Sequence, residues 1–99
     1  MTADAFRKLA LQFEGATEGA HQRHADFRIS NKIFATLPND SRGVVKLTPE
    51  QQLIHVAAEP CVFTPCAGAW GRRGWTYIEL GIAKVTHVRR ALSQATKNV

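Results

Sequence analysis

Residues 67–76 read Ala-Gly-Ala-Trp-Gly-Arg-Arg-Gly-Trp-Thr, two arginines between glycines with a tryptophan on each outer side. Successive backbone N–H groups in a glycine-rich turn can form a nest for an anion, and Arg72 and Arg73 can add charge-assisted hydrogen bonds to phosphate. The competing reading is that the glycines turn the chain tightly so that Trp70 and Trp75 can pack, leaving both arginines in water. Trp75 opens an alternating stretch and is expected in the core, whereas Trp70 is the expected exposed platform. A P-loop is excluded, because the Gly-Lys-Ser/Thr ending and the helix after it are missing, and with it nucleotide hydrolysis.

A second group is His21, His24 and Asp26, in His-x-x-His-x-Asp-Phe-Arg. Neutral imidazoles beside a carboxylate can hold a metal or a ligand, and a carboxylate can orient a histidine as a base. Spacing of three suits ligation from a helix, but this segment follows Gly19 and leads into a strand. Structural hydrogen bonding therefore stands beside ligand binding as a reading, and no metal is assigned. Cys61 and Cys66 lack further zinc ligands nearby and are expected to be two buried, free thiols. No serine or cysteine sits in a nucleophile motif and no carboxylate pair stands out, so no catalytic residue and no cofactor is assigned, and a non-enzymatic binding protein is expected.

The charge is segregated. The net charge of +5 arises from 13 Lys+Arg against 8 Asp+Glu. The seven basic and seven acidic residues before position 70 cancel; Arg72, Arg73, Lys84, Arg89, Arg90 and Lys97, against Glu79 alone, supply the entire excess. A polyanion-binding face needs such a concentration, while a merely solubilising surface does not. Lys32 and Lys46, with Arg28 and Arg42, fall on or near expected hairpins and could extend that face. No apolar run reaches the roughly 18 residues of a membrane span. The N-terminal stretch mixes charge with apolar residues, unlike a signal peptide, so a cytoplasmic address is expected.

These residues must be positioned by few elements, because 99 residues close one core and are read as one domain, 1–99. Phe6, Leu9, Ala10 and Phe13 recur at helical spacing and predict a helix over 3–13, capped by Thr2 or Asp4 and ended by Gly15. Strands are predicted over 27–30 and 32–37 about a Ser30-Asn31 turn, and over 43–48 after the turn-rich 38–43, making a three-stranded meander. Thr48-Pro49-Glu50-Gln51 predicts a capping box and a helix over 49–58, with Leu53, Ile54, Val56 and Ala57 as its apolar positions. Residues 61–74 read as irregular, with a short extended piece near Val62 and Phe63. A strand over 75–80 and a helix over 84–97, with Val85, Val88, Leu92 and Ala95 inward, complete the chain. Glu79 is expected to pair with an arginine. The expected class is α+β: an antiparallel sheet, a meander plus one or more further strands, with N- and C-terminal helices packed on it.

Three stretches, residues 18–37, 44–52 and 66–80, resemble the MmcQ/YjbR family of small bacterial proteins. The most specific matches are the His-x-x-His-x-Asp-Phe-Arg segment, the Lys-Leu-Thr-Pro-Glu helix start and Gly-x-Trp-Gly-x-x-Gly-Trp, and the resemblance covers essentially the whole chain. It implies a CyaY-like fold and DNA binding, with hairpins as paired wings, and carries no catalytic residues. Iron binding of the frataxin kind, also found among CyaY-like folds, uses an acidic helix, and the first helix here carries Arg7 and Lys8. Two functions follow. One is a weak, sequence-independent DNA-binding module using the basic C-terminal third. The other is a binding module for a protein or an anionic small molecule at His21, His24 and the Trp-Gly-Arg-Arg-Gly loop.

Overall fold

The computed structural model describes the whole chain, Met1–Val99. The spacing of Phe6, Leu9 and Ala10 gives α1 (Ala3–Leu11), all three buried, with the Thr2 side chain accepting from the Ala5 N–H. The chain then runs β1 (Thr17–His21), β2 (His24–Ile29), β3 (Lys32–Leu37), β4 (Arg42–Lys46), α2 (Pro49–Ala58), β5 (Phe63–Pro65), α3 (Gly68–Arg72), β6 (Trp75–Glu79) and α4 (Val85–Lys97). The sheet has six strands in the order β1-β2-β3-β4-β6-β5, and every neighbouring pair is antiparallel. The α+β class and the terminal helices packed on an antiparallel sheet are as expected.

The meander has four strands, one more than predicted. β1 is an edge strand reading Thr-Glu-Gly-Ala-His, mostly exposed, so it lacks the apolar alternation that marks a strand in sequence. His21 and His24 therefore do not precede the first strand; they face each other across its hairpin, joined by Gln22 at φ 50° and Arg23 at φ 68°. Ser30 (φ 52°) and Asn31 (φ 65°) form the same kind of turn between β2 and β3, as their sequence predicts. Two left-handed central residues match the right-handed twist of the flanking strands.

Phe27 pairs with Ala35 and Arg28 with Ile33, so Phe34 is an extra residue in β3. A bulge turns neighbouring side chains to similar directions, which explains why Phe34 and Ala35 are both fully buried. Phe6 of α1 lies on Gly43 of β4, where a Cβ would sit 2.6 Å from the ring. Phe6, Phe27, Phe34, Phe63, Ile78 and Leu92 centre one continuous core between the sheet and α1, α2 and α4. The opposite sheet face carries Trp75 and Tyr77 of β6, with Trp70 of α3 against Trp75.

Two local expectations fail. Leu53 and Ile54 of α2 are 71% and 68% exposed, and the helix faces the core with His55 instead. His55 lies against the Phe63 ring at 4.7 Å and bonds the Gln94 side chain at 2.7 Å. The reason is that α2 is docked by polar side chains. The predicted capping box between Thr48 and Gln51 is present, and the Gln52 amide donates to the Gly71 and Trp75 carbonyls and to the Thr76 hydroxyl at 3.0–3.1 Å. In α4 likewise, Val85 is 46% exposed and Ala91 takes the fully buried place beside Val88.

The second failure is the arginine–glycine stretch, read from the sequence as irregular. Residues 68–72 form the one-turn helix α3. Gly71 packs so close to the Cys66 carbonyl that a Cβ would come within 1.7 Å of its oxygen. Gly74, at φ +107°, presses on the Leu47 carbonyl, where a Cβ would be 1.9 Å away. Both glycines serve close backbone approach.

Gln52→Ala should lower unfolding stability by about 1–2 kcal/mol, because buried carbonyls lose a donor. Leu53→Ala and Ile54→Ala should each stay within about 0.5 kcal/mol of the parent. Urea denaturation of the three variants checks the expected order.

Candidate functional site

Helix α4 presents its core-facing stripe to β3, β4 and α1 and turns the other side to solvent. On that outer side Thr86, Arg89, Arg90, Ser93, Gln94 and Lys97 line a shallow, open groove of about 540 Å³ that no hydrophobic residue borders. The helix contains no acidic residue. Glu59, the C-cap residue of α2, lies 3.6 Å from His87 Nε2. Lys84 is exposed at the N-cap. Arg89, Arg90 and Lys97 are thus brought together with no acidic partner.

The remaining predicted cations lie elsewhere. Lys46 pairs in register with Trp75, and its ammonium sits 5.9 Å over that ring on the sheet face opposite α4. Arg73 lies 6.0 Å over the Trp70 ring, and Trp70 meets Trp75 edge-on at 5.7 Å. Arg72 is exposed on α3, and Lys32 is exposed beside the Ser30-Asn31 turn. The basic C-terminal third is therefore not one face. It is split between the outside of the helix layer and the open side of the sheet. Trp75 is half-buried and packs on this open side rather than in the core, while Trp70 is 59% exposed.

His21 and His24 stand opposite each other at the end of the β1–β2 hairpin. Both are exposed, beside a cleft of about 80 Å³ lined also by Ala25, Asp26, Thr36 and Pro38. Ligand pockets are typically several times larger. Asp26, 1% exposed, is held by Arg28 through Nε–Oδ1 at 2.8 Å and Nη2–Oδ2 at 3.0 Å. The pair lies across Gly19 of β1, where a Cβ would be 2.9 Å from the carboxylate. The Arg28 hydrogen bonds hold the Asp26 carboxyl below its ordinary range. This bidentate pair was not read from the sequence, although residues two apart on a strand share a face.

A second pair, Arg42 Nε to Glu79 Oε1 at 2.6 Å, joins β4 to β6, as expected for Glu79. The Arg42 guanidinium also stacks 4.8 Å over Tyr77. Both cysteines are free, but Cys61 is exposed where it follows Pro60 in the turn after α2, against the expectation that both are buried. Burial pushes the Cys66 thiol up to about 11, so it stays protonated at neutral pH. No three His, Cys, Asp or Glu side chains converge as metal ligands would. No helix is long and apolar enough to cross a membrane.

Comparison with known proteins agrees with the resemblance seen in the sequence. The YjbR family model matches residues 11–95, and the chain belongs to that family. No curated protein and no solved structure gives a significant match.

Asp26→Asn tests the ion pair through its pH dependence. A carboxyl held below its unfolded value of about 4 stabilises the fold above that pH, and this contribution is lost as pH falls through the lower folded value. The variant should melt about 5 °C below the parent at pH 7. The gap should narrow at pH 3, which calorimetry at the two pH values measures.

Proposed function

We propose that this YjbR-family protein is a non-enzymatic nucleic-acid-binding module that holds the phosphate backbone of duplex DNA on the outer side of α4. The observation that carries the reading is the groove of Arg89, Arg90 and Lys97 among the side chains of Thr86, Ser93 and Gln94, on a helix without a carboxylate. From Lys84 to Lys97 the helix runs about 20 Å at 1.5 Å per residue, long enough to follow several phosphates. Arginines offer forked donors to phosphate oxygens, and the hydroxyls and amide add neutral ones. An open groove bordered only by charged and polar residues suits an extended polyanion better than an enclosed small molecule. The same reading sets the protein in the bacterial cytoplasm, where such a polyanion is available.

Binding through phosphates alone carries no base sequence, and affinity should be weak, with Kd on the order of 10⁻⁴ to 10⁻⁶ M at physiological salt. Arg89→Ala with Arg90→Ala should weaken binding on every duplex tested. The slope of log K against log salt should fall by about two units, one per lost contact. Thermal stability should hardly change, since both side chains are exposed. Titration of a labelled generic duplex at two salt concentrations reads both effects. An unchanged slope in the folded double variant would overturn the proposal.

A further inference from the structure

The open sheet face has a composition that duplex binding at α4 does not use. Exposed faces of antiparallel sheets are normally polar, yet here Trp75 and Tyr77 alternate along β6 and Trp70 stands beside them from α3. Each ring has a cation over it: Lys46 over Trp75, Arg42 over Tyr77 and Arg73 over Trp70. Cation–π contacts of this kind occur about once per 70–80 residues, so three gathered on one face of a small domain mark a concentrated arrangement. The carboxylates on that face, Asp26 and Glu79, are each taken by an arginine, which leaves Lys46 and Arg73 without an acidic partner.

We infer that this face is a binding platform for single-stranded nucleic acid, with bases stacked on Trp70, Trp75 and the Arg42–Tyr77 pair and phosphates met by Lys46 and Arg73. Trp75 and Tyr77 are two residues apart on one strand, a spacing of about 6.8 Å. That is twice the 3.4 Å rise of a stacked strand in duplex DNA. Consecutive bases reach both positions only in an extended, unstacked strand, so a duplex is excluded by geometry. Stacking a base on an aromatic ring outweighs an exposed cation–π contact. Lys46 and Arg73, 5.9 and 6.0 Å from their ring centres, can therefore exchange the ring for a phosphate when a base arrives. The Arg42 guanidinium, fixed by Glu79, instead offers its own plane, a surface on which bases also stack. The platform lies on the opposite side of the sheet from α4 and does not depend on the duplex reading.

Both tryptophans of the chain are in the platform, so their fluorescence reports its occupancy. The full chain is titrated with a 12-nucleotide oligothymidylate and, separately, with a 12-base-pair duplex. Oligothymidylate should quench the tryptophan emission and the duplex should not. Trp70→Ala should weaken oligothymidylate binding about tenfold, and Trp70→Phe should restore most of the affinity. Lys46→Gln should lower the salt slope by about 0.7, the value for one single-strand phosphate. Arg89→Ala with Arg90→Ala should leave the quenching in place, which separates this test from that of the α4 face. No quenching, equal quenching by the duplex, or unchanged affinity in a folded Trp70→Ala variant would overturn the inference. So would a concentration-dependent dimer abolished by Trp70→Ala, since the face would then belong to a second copy of the chain.

Discussion

The side-chain amide of Gln52 touches the Gly71 and Trp75 carbonyls and the Thr76 hydroxyl, and Thr76 in turn donates to the Gly74 carbonyl at 2.8 Å. Those contacts require α2, α3 and the start of β6 to meet within a few ångströms. Only glycine at 71 and 74 lets the backbones come that close. The same junction takes in α4, because Asn98 donates to the Lys46 carbonyl and to Gln51. Gln51 is thereby shared between the cap of α2 and the end of α4. A polar junction of this kind is favourable only when every member is satisfied, so its geometry is closely specified. It sets where Trp70 stands against Trp75 and where α4 ends beside β4.

Pairing shapes the electrostatics as much as the sequence of charges does. On α1, Arg7 and Lys8 are met by Asp4, and Arg7 also by Glu18. On the sheet, Arg28 is met by Asp26 and Arg42 by Glu79. Exposed pairs of this sort add little stability, but they cancel the field of the cations they hold. Among the cations left without a carboxylate are Arg89, Arg90 and Lys97 on α4, Lys46 and Arg73 over their rings at the other face, and the exposed Arg23, Lys32, Arg72 and Lys84. A net charge of +5 therefore acts locally, and screening over about 8–10 Å at physiological salt keeps the two positive regions distinct.

Much of this was legible in the sequence because it rests on local rules. Phe6, Leu9 and Ala10 mark α1 by periodicity, Ser30-Asn31 marks a hairpin, and Thr48 with Gln51 marks a capped helix start. What escaped depends on partners distant in the chain. β1 is a strand because β2 pairs with it, not because of its own composition. Leu53 and Ile54 look inward by type, but Gln52 and His55 bind Gly71, Thr76 and Gln94, some 20 to 40 residues away, and turn the helix the other way. The arginines of the Trp-Gly-Arg-Arg-Gly stretch were visible as a charge cluster. Their separation from α4 was not, since it follows from which side of β6 carries Trp75.

That separation has an energetic consequence. The molecule measures 30 by 25 by 25 Å, with the helix layer on one side of the sheet and the aromatic face on the other. A straight duplex held along α4, as proposed, cannot bend around such a body to the far side without a deformation cost of several kcal/mol. Sites that share no ligand, no side chain and no hydrogen bond act independently, and changes at the two add. The Gln52 junction is the exception, because it supports Trp70 and Trp75 through Gly71 and β6 while Gln51 and Asn98 hold the end of α4. Loosening it disturbs both faces at once, whereas an exposed arginine of α4 or the exposed Trp70 can be removed with effects confined to its own side.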